Sequence, residues 1–173
     1  MVEQAKYVVL KKIGKTEIRR YPPLVLARVD GYGDGGFNLL FRFITGNNRH
    51  KSNISMTAPV VSEQIAMTAP VLSETGSIAF IMPEGYTIKT TPEPLDDRVK
   101  VLEIPERLVA ALRFSGRWSN AILKKKSEEL LKELTEAGIK TVGQVFSMRY
   151  NAPFTPWFMR RNEVAITIES DSE

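Results

Sequence analysis

The chain has 173 residues, 43% of them hydrophobic, enough for one compact core, because soluble domains mostly run from about 50 to 250 residues. Lys and Arg outnumber Asp and Glu by 24 to 20, a net charge of +4 that by itself implies no nucleic acid; zero cysteines exclude disulfides, thiolate metal centres and a cysteine nucleophile, and the single His50 excludes a His-rich zinc site. No run approaches the roughly 18 apolar residues of a membrane span and the N-terminus has no signal-peptide pattern, so the sequence reads as soluble and cytoplasmic.

In chain order, the apolar, β-branched run Tyr7–Leu10, a turn over Lys11–Lys15 and the alternating Thr16–Tyr21 predict a β-hairpin. Pro22-Pro23 ends it, and Leu24–Val29 reads as a further strand. Phe37, Leu40, Phe41 and Ile44 fall at helical spacing and predict a helix over 37–44 with that set as its buried face, closed by Gly46-Asn47-Asn48. Two near-copies, Ile54–Val60 and Ile65–Val71, each holding Met-Thr-Ala-Pro-Val, read as strands joined by a turn at Ser62–Gln64, and a third strand follows at Ile78–Met82. Residues 83–98, rich in proline and charge, read as the one linker.

Beyond the linker the pattern recurs. Leu108–Gly116 echoes Leu24–Gly31, a helix follows over Ser119–Ala137 with Ser119 as N-cap and Gly138 as stop, and strands are expected at Val145–Tyr150 and Glu163–Ile168. This is a duplicated β-α-β-β unit, with approximate repeats 16–82 and 99–170 inside a single domain 1–173.

The second helix has an ordinary solvated face. The first does not: beside its expected core face it carries Leu39 and Phe43 on another side, with Arg42 its only charge, so these residues either pack under a loop or line an apolar groove. Trp157, Phe158 and Met159 directly precede Arg160 and Arg161; apolar surface beside fixed guanidiniums suits a flat hydrophobic molecule with carboxylate arms, while the bland alternative is a loop folded onto the core. His50 lies in a polar loop, where a histidine is usually just solvated, and of the methionines that iron accepts as ligands, Met56 and Met67 sit at matching strand positions suited to the core. No G-x-S-x-G elbow or phosphate-binding loop occurs, Asp96-Asp97 reads as a solvated turn, and the short basic runs Lys124–Lys126 and Arg160-Arg161 are too scattered for nucleic acid.

Taken together, Tyr7, Glu17–Tyr21, the Phe-rich helix ending in Ile44–Asn48, the doubled Met-Thr-Ala-Pro-Val, Phe80–Pro83, Phe114-Ser115-Gly116, Tyr150–Pro153 and Arg160–Val164 resemble the SOUL haem-binding protein family. The resemblance covers nearly the whole chain. It implies an α+β fold, a distorted antiparallel β-barrel with two helices built from two β-α-β-β repeats. It further implies reversible binding of haem or a related tetrapyrrole in a hydrophobic groove, for carriage, buffering or sensing. The positions that match are Leu39, Arg42 and Phe43 on the first helix and Trp157, Phe158, Met159, Arg160 and Arg161 on the loop; no ligand role is carried over to His50. The same fold resemblance extends to effector-binding domains, so the alternative is a module taking another amphipathic ligand or a partner helix. An enzyme acting on a tetrapyrrole, for instance by removing its metal, is a third reading, for which the residues offer no acid–base pair.

Overall fold

The computed structural model describes residues 3–63, 76–151 and 155–170. In chain order its regular elements are β1 (Glu3–Gln4), β2 (Val8–Ile13), β3 (Thr16–Tyr21), β4 (Leu24–Asp30), α1 (Phe37–Ile44), β5 (Thr57–Glu63), β6 (Ser77–Ile81), β7 (Val99–Ile104), β8 (Arg107–Phe114), α2 (Asn120–Glu136), β9 (Thr141–Arg149) and β10 (Asn162–Ile168), with short 3-10 turns at Gly33–Gly36 and Trp157–Met159. The fold is α+β with two helices and predominantly antiparallel strands. The second Met-Thr-Ala-Pro-Val copy, 65–71, lies outside the described residues.

The chain forms two compact units, Met1–Ala5 with Pro23–Pro105, and Lys6–Pro22 with Glu106–Glu173. In the first, strands are ordered β1-β5-β6-β4-β7, with β1 parallel to β5 and all other pairs antiparallel. In the second the order is β2-β3-β8-β10-β9, entirely antiparallel. Each unit thus contains a β-α-β-β sequence in which the last strand lies between the first two, with a further strand beside the first, β7-β4-β6-β5 and β3-β8-β10-β9, and β1 and β2 at the edges. That further strand is β7 beside β4 and β3 beside β8, although β3 directly precedes β4 in the chain and β7 directly precedes β8.

Neither ladder closes on itself within its unit, so the barrel implied by the resemblance is not formed in either. A helix accounts for the apolar face instead. In the first unit, Leu39, Leu40, Phe43 and Ile44 of α1 pack on Val25, Ala27, Val29, Ile78 and Phe80. Gly36 permits this approach: a Cβ there would come within 2.8 Å of Ile78 Cγ2 and 3.0 Å of Val29 Cγ1. In the second, Leu123, Leu130 and Leu134 of α2 pack on Ile18, Ala110, Leu112, Val164 and Ile166. Ser119 caps α2, its Oγ accepting from Ile122 N at 3.2 Å, and Gly138 follows at φ 72°.

Five expectations change. The hairpin turn is only Gly14-Lys15, with Gly14 at φ 58°, and Lys11–Ile13 belong to β2, whose register slips by one residue between Val9 and Lys11. The strand expected at Ile54–Val60 begins at Thr57, and β9 begins at Thr141 rather than Val145. Residues 83–98 are no linker: Thr91 and Pro92 are buried, Arg49 N donates to Glu93 O at 2.9 Å, and Asn48 bridges Pro94, all within the first unit. The chain passes between units at Ala5, Pro22 and Pro105 instead. The strand Val99–Ile104 was not expected, because its alternation of Val99, Val101 and Leu102 with Lys100 and Glu103 is irregular.

Candidate functional site

Helix α1 buries Leu40 and Ile44 as the sequence predicts, but its core face is rotated toward Leu39 and Phe43 and away from Phe41. Phe43 is fully buried and Leu39 is 8% exposed, both in the core, whereas Phe41, expected inside, is 47% exposed. The eight-residue helix has too few turns for spacing alone to choose between two apolar sides. Packing on β4 and β6 chose the side holding Leu39, Leu40, Phe43 and Ile44, and left Phe41 and Arg42 outward. Phe41 stacks on Phe37 with centroids 6.2 Å apart. The helix end is locked by the buried Asn48, whose Nδ2 donates to Phe43 O and to Ser52 O, both at 2.9 Å. His50 lies exposed just beyond. Among the described residues no group of three or more His, Asp or Glu could hold a metal ion.

In the second unit, Trp157, Phe158 and Met159 form the 3-10 turn between β9 and β10 and are exposed by 50, 62 and 66%. These three residues are therefore not folded onto the core. Trp157 and Phe158 meet edge to face at 5.6 Å, and the Arg117 guanidinium lies 5.7 Å over the Trp157 ring. Arg160 is half-buried and its Nε donates to Thr155 O at 2.8 Å.

Arg161 has a different place from its neighbour. Its Nη2 donates to Tyr7 Oη at 2.8 Å and reaches Glu163 Oε2 at 3.3 Å, and its guanidinium lies 3.9 Å over the Tyr150 ring. Backbone bonds close the loop base there, Tyr150 N to Arg161 O at 3.2 Å and Arg161 N to Asn151 Oδ1 at 2.5 Å. Arg161 thus anchors the loop rather than presenting a cation to solvent.

Beneath it lies a polar cluster that the hydropathy pattern missed. Arg19 and Glu163, 1% and 0% exposed at the side chain, form a two-pronged pair, Nη1 to Oε1 at 2.7 Å and Nη2 to Oε2 at 2.5 Å. Arg19 also donates to Glu17 and to Tyr21 Oη, each at 3.1 Å, and lies 4.2 Å over the Tyr7 ring. Burial by itself lowers the affinity of Arg19 for its proton and raises that of Glu163; mutual hydrogen bonds and charge overcome burial on both, so Arg19 titrates above and Glu163 below its ordinary range. The Tyr150 phenol is pushed up by burial and then by the negative charge of Glu163. The sequence signal for this cluster was Glu17, Arg19 and Tyr21 at alternate positions of one strand, three polar groups on one face.

The fold and these sites define a small α+β protein of two open ladders, each covered by one helix, with an exposed aromatic loop braced by a buried Arg–Glu–Tyr cluster. The sequence matches the SOUL heme-binding protein family over residues 2–167, and the chain belongs to that family. No curated protein matches the sequence. Solved structures of the same fold include the EcmrR C-terminal domain (8% identity, TM-score 0.62, covering 90% of this chain and 97% of that one) and a hydrolase from Listeria innocua (12%, 0.61, 92% and 94%). A third is SAV2435 bound to tetraphenylphosphonium (12%, 0.51, 90% and 94%). At these identities the likeness shows the fold.

Proposed function

We propose that this protein binds haem or a related tetrapyrrole reversibly, acting in the cytoplasm as a carrier, buffer or sensor, and that the chain 1–173 works as one domain descended from repeats 16–82 and 99–170. Family membership carries the reading. The residues fit the ligand: Trp157, Phe158 and Met159 offer large, exposed apolar surface, and Arg117 and Arg160 beside them suit propionate carboxylates. Phe41 and Arg42, outward on α1, are a second candidate contact surface in the other unit; the buried Leu39 and Phe43 support that surface from beneath. The bound group would supply its own redox or optical chemistry, while the protein binds and shields it.

Titration with haem and with metal-free porphyrin tests the reading, with a saturable Soret shift and tryptophan quenching expected. Absence of both refutes it. Phe158→Asp and Phe41→Asp then separate the two candidate surfaces.

A second reading takes a different amphipathic ligand in the same fold. It is favoured by Glu163 among Tyr7, Tyr21 and Tyr150, because a carboxylate ringed by aromatics suits a delocalised cation such as the one bound to SAV2435. It ranks second because the Arg19 guanidinium already fills that place.

A further inference from the structure

The sequence offers Arg160 and Arg161 as the cations beside the aromatic turn, yet both are held by the protein itself. Arg160 Nε donates to Thr155 O at 2.8 Å, and Arg161 Nη2 donates to Tyr7 Oη at 2.8 Å and reaches Glu163 Oε2 at 3.3 Å. Arg117, from the segment between β8 and α2, differs from both. It is exposed, forms no ion pair among the described residues, and holds its guanidinium 5.7 Å over the Trp157 ring. Its backbone is fixed on both sides. Before it, Gly116 stands at φ 121° and its carbonyl accepts from Asn162 Nδ2 at 3.2 Å. After it, Trp118 stacks on Phe114 with centroids 6.2 Å apart, and Ser119 caps α2. The turn that carries Trp157 is closed by Met159 N donating to Pro156 O at 2.9 Å. Between these two anchored segments one exposed arginine side chain lies across an indole, free to change rotamer.

We propose that Arg117 makes the aromatic turn selective for flat ligands that carry carboxylates: a tetrapyrrole stacks on the Trp157 face that Arg117 covers, and the displaced guanidinium closes on a carboxylate arm at the edge of the ligand. This rests on tetrapyrrole binding at the turn. One ring face cannot hold a guanidinium and a stacked macrocycle together, so any flat ligand on that face breaks the cation–π contact. A carboxylate replaces that contact with a charge-assisted, two-pronged hydrogen bond, the stronger of the two interactions. An esterified or neutral ligand replaces it with nothing. Arg117 therefore favours the one ligand and opposes the other, so its removal has opposite signs for the two. Arg160 and Arg161 do not serve in this way, since each would first give up the partners that fix the loop.

The test titrates protoporphyrin IX and its dimethyl ester into the full chain, following the Soret band. The wild type is expected to bind the diacid more tightly. Arg117→Gln is expected to weaken the diacid by about tenfold, the worth of one hydrogen-bonded charge pair, and to tighten the ester by about threefold, the worth of an exposed cation–π contact. Arg117→Lys keeps the charge without the planar fork and is expected to fall between wild type and Arg117→Gln. Lys125→Gln removes the same charge from the exposed side of α2 and is expected to leave both affinities at their wild-type values. Circular dichroism matching the wild type establishes that the variants are folded; should Arg117→Gln fail this, Arg117→Met takes its place with the same expectation. Absence of binding by both porphyrins refutes the tetrapyrrole reading and this proposal with it. Binding of both with a diacid preference that Arg117→Gln leaves intact, a parallel loss for diacid and ester, or an equal change in Lys125→Gln refutes the role of Arg117 alone.

Discussion

Glu163→Ala is expected to be among the most damaging single substitutions in this protein. The carboxylate is fully buried and makes both of its strong contacts to Arg19, itself 1% exposed, with Arg161 as a third partner. Its removal leaves Arg19 buried with Glu17 and Tyr21 as hydrogen-bond partners and the Tyr7 ring beneath it. Breaking a buried pair from one side costs about 3–5 kcal/mol, a large share of a total stability of about 5–15 kcal/mol. For a domain of this size that corresponds to a fall in Tm of roughly 6–20 °C. Denaturant and thermal unfolding followed by circular dichroism measure it. The companion variant Arg19→Met/Glu163→Leu removes both charges together and is expected to recover most of the loss, because well-packed apolar groups replace a buried pair at little cost. A Glu163→Ala loss below about 1 kcal/mol, or a double variant as unstable as the sum of the two singles, refutes the reasoning.

Acid sensitivity follows from the same pair. The folded-state pKa of Glu163 lies below its ordinary 4.5, so its contribution is fully present above that pH and is lost as pH falls through the lower folded value; urea midpoints measured downward from neutrality should drop in the wild type, and that component should vanish in Glu163→Gln. Phe43→Ala should destabilise by about 3–5 kcal/mol and Phe41→Ala by less than about 1 kcal/mol, by denaturant unfolding, since only the first opens a cavity. Ser119→Ala should cost about 1 kcal/mol through the lost bond to Ile122 N, read from the same curves. Tetraphenylphosphonium should leave the wild type's unfolding temperature unchanged, because Arg19 occupies the carboxylate; a clear thermal shift in the wild type would favour the second reading.

Where helices lie was legible because propensity, capping and spacing act locally. The first helix was placed to the residue at Phe37–Ile44, and Ser119 and Gly138 marked the second, since a cap or a left-handed stop is satisfied within a few residues of chain. The aromatic loop was also readable, because Pro156 and the run Trp157–Met159 suit no regular strand. Which side of α1 becomes core was not readable. Phe37, Leu39, Leu40, Phe41, Phe43 and Ile44 make the helix apolar nearly all round, and only the approach of β4 and β6 over Gly36 distinguishes Phe43 from Phe41.

The chain by itself therefore determined composition-level exclusions, the family, both helices and an apolar loop with arginines next to it in sequence; that Trp157, Phe158 and Met159 are exposed came from the tertiary structure. Tertiary structure decided the partners of those arginines. Arg160 and Arg161 are neighbours in sequence, yet one stays at the loop margin and the other turns in toward Glu163, Tyr7 and Tyr150. The partners of Arg161 come from residues 7, 150 and 163, and the pair of Glu163 comes from Arg19, 144 residues away. Only the folded second unit brings these distant segments together, and a buried charge is stable only where such pairing occurs.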